Sequence, residues 1–135
     1  VGRVNRMARL FGPELNKVFK AHELSSVEFD ILATLRRSED ALTPTQLYQT
    51  LMLSSGAMST RIDQLVKNGL LTRIASGEDR RSNRVALTEE GQSVVDAALN
   101  DHVENLHRLT ESLTKKEQTQ LAGLLSKLLV ATEGH

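Results

Sequence analysis

The sequence predicts a mainly α-helical fold that carries one small β-hairpin. Apolar residues recur every three or four positions along most of the chain, which is the spacing of one face of an α-helix. Residues that cap helix N-termini precede several of these stretches. Between residues 70 and 88, two short alternating segments flank a long polar loop. With 135 residues the chain is long enough for a single domain, residues 1–135, with its own core.

The first predicted helix covers residues 4–22. Its apolar face consists of Met7, Leu10, Phe11, Leu15, Val18 and Phe19. Gly12-Pro13 interrupts this pattern, so we expect the helix to kink there or a second segment to begin. The periodic pattern is already present at Val1, and we therefore expect the natural protein to extend before this residue.

Two capping signals begin the next pair of helices. Ser25 and Glu28 have the spacing of a capping box, which predicts a helix over residues 25–37. Thr43-Pro44-Thr45-Gln46 supplies an N-cap, a proline at the first helical position and a glutamine at the third, which predicts a short helix over residues 43–51. The expected core residues of the first of these helices are Phe29, Leu32 and Leu35.

The helix predicted over residues 55–68 has two contrasting faces. One face is an apolar stripe of Met58, Ile62, Leu65 and Val66. The opposite face carries small or hydrogen-bonding side chains, namely Gly56, Ala57, Thr60, Asp63 and Gln64. A helix can approach a flat polar surface only when the side chains on that face are short. Gly69 follows the helix and suits the left-handed conformation that ends helices.

A β-hairpin with a long basic loop is predicted after this helix. Its strands are expected at residues 70–74 and 84–88, and Val85 and Leu87 alternate on the inward side of the second strand. The loop, residues 75–83, is longer than the roughly 2–5 residues usual for hairpins. Long polar loops of this kind commonly serve a function.

Two further helices are predicted after the hairpin. Thr88, followed by two glutamates, is an N-cap with acids in the first turn, and Thr114-x-x-Glu117 is a capping box. The apolar positions are Val94, Val95, Ala98, Leu99, His102, Val103, Leu106 and Leu109 in the first helix and Leu121, Leu124, Leu125, Leu128 and Leu129 in the second. This surface exceeds what one small domain covers, so we expect burial in a two-fold dimer. A monomeric helical cap is the alternative.

The order of helix, strand, basic loop and strand is that of a winged helix-turn-helix, in which the second helix enters the DNA major groove and the loop, or wing, reaches sideways. Leu70-Leu71-x-Arg73, followed by Asp79-Arg80-Arg81-Ser82-x-x-Val85-x-Leu87-Thr88-x-x-Gly91, resembles the signature of the MarR family of bacterial transcriptional regulators. The resemblance extends in register over most of the chain. It implies a DNA-binding part at about residues 25–88, dimerisation helices at about residues 1–22 and 89–135, and a homodimeric repressor.

Composition and charge narrow the class of protein. The chain has no cysteine, which excludes a disulfide framework and a thiolate zinc site. No apolar run approaches the roughly 18 residues of a membrane span and no signal-peptide pattern is present, so we expect a soluble cytoplasmic protein. The resemblance implies that it is bacterial. The formal net charge is zero, yet residues 1–20 carry five bases and one acid, and residues 54–88 carry six bases and three acids. This segregation of positive charge favours local contact with DNA.

The residues expected to contact double-stranded DNA lie on the two helices of the helix-turn-helix and on the wing. They are Thr43, Thr45, Gln46, Ser55, Gly56, Ala57, Ser59, Thr60, Gln64, Arg80, Arg81 and Ser82. Gln64 can bond an adenine bidentately, and the two wing arginines are expected to reach the minor groove and phosphates. Asp79 is expected to hold the wing by pairing with an arginine. In a dimer, the two reading helices require a near-palindromic operator.

A finer resemblance concerns a small-molecule effector. Asp30, Arg61 and Arg73, with the surrounding FDILATLRR and SSGAMSTRIDQL, resemble the urate-responsive branch of the MarR family. In that branch an Asp and two Arg at matching places bind urate or relay its binding, which implies urate or a similar purine or aromatic anion as effector. Two guanidinium groups suit a planar anion. The branch also uses a tryptophan, and this chain has none. By itself, Asp30 is either a first-turn acid stabilised by the helix dipole or the partner of a buried cation.

The sequence predicts neither an enzyme nor a metal site, and no cofactor. It contains no GxSxG, no glycine-rich phosphate loop and no HExxH. His102 and His107 are five residues apart, or about 140° around a helix, so they cannot share a face as i, i+4 ligands do. His102 is expected to be a satisfied buried or interface histidine. The alternative function is a winged-helix protein–protein interaction module without DNA binding, which would lack the steep salt dependence of DNA binders.

Overall fold

The computed structural model describes residues 2–51, 53–75 and 83–133. The described residues form six helices and one two-stranded antiparallel hairpin, which confirms the predicted fold class. In chain order the elements are α1 (Gly2–Ala21), α2 (Ser26–Ser38), α3 (Pro44–Leu51), α4 (Ser55–Lys67), β1 (Leu71–Ala75), β2 (Asn83–Leu87), α5 (Glu89–Leu109) and α6 (Lys115–Glu133). The chain divides into two compact units, residues 1–102 and residues 103–135.

Reciprocal capping boxes begin three of the helices, as the sequence predicts. At the start of α2, the Glu28 N–H donates to Ser25 Oγ at 3.1 Å and the Ser25 N–H donates to Glu28 Oε1 at 3.0 Å. The same pair of bonds begins α3, between Thr43 and Gln46, and α6, between Thr114 and Glu117. Each box satisfies backbone N–H groups that have no partner within the helix, so these boundaries are encoded locally.

Helix α1 is continuous through Pro13. Of the two predicted alternatives, a kink or a second segment, the second segment is therefore wrong. A proline inside a helix removes the N–H that would donate to the carbonyl four residues earlier, here that of Arg9. Both residues are exposed, and water can hydrate a carbonyl in that position. The loss is therefore tolerated on this side of the helix.

The connection from α4 to the hairpin explains a one-residue shift of the strands. Gly69 adopts a φ of 81° directly after the helix, the left-handed conformation predicted for it. The Leu70 N–H still donates to the Leu65 carbonyl at 3.0 Å, so Leu70 belongs to the end of the helix. For this reason β1 begins one residue later than predicted. The second strand begins and ends one residue earlier than predicted.

The hairpin is braced by the segment that precedes α3. Leu71 pairs with Leu87 and Arg73 with Val85 across the two strands. On the other side of β2, Leu42 forms an antiparallel bridge with Val85 through hydrogen bonds of 3.0 and 2.7 Å. The base of the wing is thereby fixed to the start of the helix-turn-helix.

The core of residues 1–102 is formed by α2, α3, α4 and the hairpin, together with residues from the end of α1 and the first half of α5. Its fully buried large side chains are Ile31, Leu32, Leu47, Met58, Ile62, Leu65, Leu71, Val85 and Val95. Of the predicted core residues of α2, Phe29 and Leu35 are buried as well. The predicted apolar stripe of α4 is confirmed, although Val66 at its edge is only partly buried. Helix α4 is anchored by this stripe, which leaves its opposite face towards solvent.

Residues 103–135 contain the end of α5 and all of α6. The Gln118 amide closes the turn between these helices by donating to the carbonyls of Thr110 at 3.1 Å and Leu113 at 3.2 Å. The leucines of α6 are between 40% and 63% exposed: Leu121, Leu124, Leu125, Leu128 and Leu129. Within the described ranges, no helix is both long and apolar enough to cross a membrane.

Candidate nucleic-acid interface

Helices α3 and α4 form a helix-turn-helix whose connection is held by backbone and side-chain hydrogen bonds. The Leu53 N–H donates to the Tyr48 carbonyl at 3.1 Å, and this bond ties the connection to the last turn of α3. Ser54 is the N-cap of α4, because its Oγ accepts from the Ala57 N–H at 3.2 Å. The orientation of α4 is thus fixed at its first turn as well as by its buried stripe.

The outward face of α4 is exposed and its side chains are short. The exposed positions among the predicted DNA contacts are Gly56, Ala57, Ser59, Thr60 and Gln64. A Cβ built on Gly56 would meet no described atom within 4 Å, so the backbone itself is open to a ligand there. The Thr60 hydroxyl donates to the Gly56 carbonyl at 3.1 Å, which leaves its methyl group and oxygen lone pairs for contact. The side chain of Ser55 lies outside the described residues.

The first turn of α3 presents polar groups on the same helix-turn-helix. Thr45 and Gln46 are exposed and Thr43 is half-buried. The cap uses the Thr43 hydroxyl and the Gln46 side-chain carbonyl, at 3.1 and 2.8 Å. The Gln46 amide nitrogen remains outside the cap and can donate to an anion, as can first-turn N–H groups of a helix.

An ion pair on the outward side of α4 joins the helix to the hairpin. Arg73 on β1 donates through Nη2 to Oδ1 of Asp63. Asp63 lies on the predicted polar face of the helix but had no predicted role, and Arg73 is one of the residues implied for the effector. The pairing brings together residues ten positions apart, so helical or strand periodicity alone does not reveal it.

The tip of the wing lies outside the described residues. This applies to Asp79, Arg80, Arg81 and Ser82, whose predicted roles therefore stay predictions. At the described base of the wing, Arg84 on β2 is exposed and lies opposite Ile74. Arg84 adds a cation that the sequence-based assignment of DNA contacts left out, although strand alternation placed it on the outward side.

Asp30 lies in the second turn of α2, so the interpretation of this residue as a first-turn acid is wrong. Burial raises the pKa of its carboxyl above the ordinary value of 3.8, while the nearby charges of Arg37 and His102 lower it. Arg61 is exposed on α4, and Arg73 pairs with Asp63. Among the described residues, no hydrogen bond or ion pair joins any two of the three side chains assigned to the effector.

His102 packs against apolar rings, but the prediction that its ring nitrogens are satisfied by hydrogen bonds is wrong for Nδ1. Its ring centroid lies 5.2 Å from those of both Phe19 and Phe29, which stack on each other at 4.2 Å. Its Nδ1 is buried and has no hydrogen-bond partner among the residues that the structure describes. Burial lowers the pKa of His102 from 6.5, and the charge of Asp30 opposes this effect. The neutral ring is therefore favoured at this position.

The described histidines are not part of a group of ligating side chains large enough for a metal site. His22 Nε2 lies 2.7 Å from Oδ2 of Asp101, a pairing that joins the end of α1 to α5. In the part of the chain that the structure describes, no group of three or more His, Asp or Glu side chains is placed to hold a metal ion.

Known proteins match this chain over the helix-turn-helix formed by α3 and α4. The family model described as "MarR family" matches residues 22–82. The chain is 36% identical over 130 residues to the HTH-type transcriptional regulator PecS of Dickeya dadantii, covering 95% of this chain and 78% of that protein. It is 35% identical over 116 residues to the transcriptional repressor MprA of Escherichia coli, covering 84% of this chain and 65% of that protein. A crystal structure of a mutant MarR from Escherichia coli, complexed with operator DNA, is similar with a TM-score of 0.82 at 27% identity, covering 95% of this chain and 92% of that one.

Proposed function

The chain belongs to the MarR family of transcriptional regulators, and we propose that it binds operator DNA as a homodimer and represses transcription in the bacterial cytoplasm. One observation supports DNA binding above all others: the outward face of α4 is exposed and carries small or hydrogen-bonding side chains. A helix with such a face fits the major groove, where base edges are read through hydrogen bonds and close contacts.

The contacts with bases fall to α4 in this proposal. Gln64 is exposed and its amide can both donate to and accept from an adenine, which is the pairing that discriminates this base. Gly56 and Ala57 allow the backbone to approach the groove, and Thr45 and Gln46 contact the phosphates beside it.

The wing supplies electrostatic contact with the DNA backbone. Arg80, Arg81 and Ser82 reach the minor groove and the phosphates, with Asp79 holding the loop. The bridge between Leu42 and β2 supports this role, because it gives the arginines a fixed base. A rigid base lowers the entropic cost of ordering a charged loop on DNA.

The proposed dimer is supported by apolar side chains that are exposed in the single chain. At least 40% of the surface is exposed in each of the outward leucines of α6. The same holds for three residues of α1: Val4, Met7 and Leu10. Surface of this kind on a soluble protein marks an interaction site. A two-fold dimer places two copies of α4 roughly 34 Å apart, in successive major grooves, and requires a near-palindromic operator.

An anionic or aromatic effector, urate or a related purine, modulates DNA binding in this proposal. Asp30, Arg61 and Arg73 remain the residues proposed for it. Because Arg73 pairs with Asp63, an anion that binds Arg73 must displace that carboxylate. The hairpin would then lose its ion pair with the reading helix. The ligand would have a higher affinity for the arrangement without this ion pair than for the one with it, and this difference couples ligand binding to DNA binding.

The proposal is tested by footprinting and affinity titration on the DNA upstream of the protein's own gene. Arg81→Ala is expected to weaken operator binding at least about tenfold and to reduce the salt slope by about one. Gln64→Ala is expected to relax base preference, whereas Ser126→Ala, on the side of α6 opposite Leu124 and Leu128, leaves binding unchanged. Affinity that does not fall between about 50 and 200 mM salt would rule out DNA binding.

A further inference from the structure

A cleft lies apart from the residues proposed for DNA and the effector. It has a volume of about 250 Å³ and opens between the end of α2, the loop that follows it, the end of β2 and the first turns of α5. Its apolar lining is Leu35, Ala41, Ala86 and Leu87, and its polar lining is Arg36, Glu39, Asp40 and Gln92. At about 30 Å³ per water molecule, the cleft holds roughly eight waters or a ligand with about that number of non-hydrogen atoms.

The charge of the cleft is negative. Arg36 is already engaged, because its Nε donates to Oδ1 of Asp96 at 2.9 Å. The carboxylates of Glu39 and Asp40 make no hydrogen bond or ion pair with any described side chain. Two neighbouring carboxylates beside a cation that another acid has neutralised attract a positive charge and repel an anion.

The loop that carries the two acids is held in place before any ligand binds. The Ser38 hydroxyl donates to the Asp40 carbonyl at 2.8 Å and accepts from the Asp40 N–H at 3.3 Å. Glu39 is the C-cap of α2 with a φ of 61°, so the chain reverses at this residue. Beyond Ala41, the bridge between Leu42 and β2 fixes the other end of the loop. A rigid site binds a small ligand with less loss of conformational freedom.

We propose that this cleft binds a small organic amine in its protonated form. The ammonium group lies between the carboxylates of Glu39 and Asp40, with the Gln92 side-chain oxygen as a further acceptor. The apolar part of the amine rests on Leu35 and Leu87, which belong to the apolar lining of the cleft. The site stands independently of the proposed DNA binding.

Benzylamine and benzyl alcohol are matched probes for this site, because they have the same number of non-hydrogen atoms and differ in the charged group. Each is titrated into the full chain while amide signals are followed by NMR at pH 7. Benzylamine is expected to bind in the millimolar range, as suits a ligand of about eight atoms, and to shift the signals of residues 35–41 and 86–92. The affinity for benzyl alcohol is expected to be at least about tenfold lower, since this probe cannot form the charged hydrogen bonds.

The double variant Glu39→Gln with Asp40→Asn tests the carboxylates with little change of shape. It is expected to weaken benzylamine binding about tenfold or more while the melting temperature stays that of the parent protein. Glu23→Gln is the matched control, because Glu23 follows α1 with a φ of 60° yet does not line the cleft. Equal binding of the two probes, unaltered benzylamine binding by the double variant, or shifts confined to other residues would overturn the proposal. So would the absence of any shift at millimolar benzylamine.

Discussion

The Arg73 guanidinium donates to the Asp63 carboxylate, so the first strand of the hairpin is tied to the outward face of the helix α4. The two side chains are 40% and 68% exposed, and exposed ion pairs contribute at most about 1 kcal/mol to stability. Their main consequence is therefore positional. The pair sets the hairpin against the helix that we propose enters the major groove, and it offsets an acid that would repel phosphates.

Replacing Asp63 by Asn is expected to strengthen non-specific DNA binding. The change removes a negative charge from the proposed DNA-facing surface and frees Arg73 for a phosphate, so the salt slope should become steeper by about one. The free energy of unfolding should change by no more than about 1 kcal/mol, as measured by urea denaturation. Glu104→Gln removes an exposed acid from α5 and should leave the slope unaltered. An unchanged slope in Asp63→Asn would show that this residue does not face DNA.

Helix boundaries could be predicted from the sequence because they are set by residues close along the chain. Ser25 with Glu28, and Thr43 with Gln46, make their capping bonds within three residues of each other. The surroundings of His102 could not be predicted, because its neighbours Phe19 and Asp30 lie more than 70 positions away. Burial, pKa and pairing at such positions depend on how helices pack, which periodicity does not specify.

The same limit applies to the candidate interface. Exposure of the α4 outward face followed from its 3.6-residue period and is confirmed at Gly56, Thr60 and Gln64. The partner of Arg73 did not follow, because a strand and a helix must first be brought side by side. The cleft proposed to bind an amine also draws residues from four separate segments, which only the packing of the fold brings together.

Gly91 and Gly123 are expected to respond in opposite directions to alanine. A Cβ on Gly91 would overlap the backbone of Leu70, whereas a Cβ on Gly123 in α6 would meet no described atom within 4 Å. Both residues lie inside helices, where alanine is intrinsically more favourable than glycine by about 1 kcal/mol. Gly123→Ala should therefore raise the free energy of unfolding, and Gly91→Ala should lower it by about 1–3 kcal/mol through overpacking. Equal effects of the two changes in urea denaturation would show that the contact with Leu70 is not close.

The stability of the protein is expected to fall as the pH drops below about 6.5, because of His102. Burial lowers the pKa of His102 below 6.5, so the unfolded chain binds this proton more readily than the folded chain. The histidine therefore costs no stability above about pH 6.5, and the cost grows as the pH falls from there towards the folded pKa. His102→Phe, which keeps an aromatic ring against Phe19, should reduce the pH dependence measured by urea denaturation.

His107→Gln serves as the control for this measurement, because His107 is exposed on the same helix. Asp30 contributes with the opposite sign: burial raises its pKa above 3.8, so its contribution is greatest below that value and is lost as the pH rises through the raised pKa. Asp30→Asn combined with His102→Phe separates the two contributions. A pH profile that is the same in the parent and in His102→Phe would contradict the assignment.

Charged residues on the outward face of α6 are expected to dissociate the proposed dimer. Leu124 and Leu128 are 63% and 61% exposed and lie one helical turn apart, so they form one continuous apolar surface. Aspartate at both positions would bury two unpaired charges in a dimer but would meet only solvent in a monomer. Sedimentation velocity should then show a monomer, and operator affinity should fall steeply because each half-site would bind alone. Ser126→Asp, at an exposed position on the opposite side of the helix from these two leucines, should leave the dimer intact. A double variant that sediments as a dimer would place the interface elsewhere.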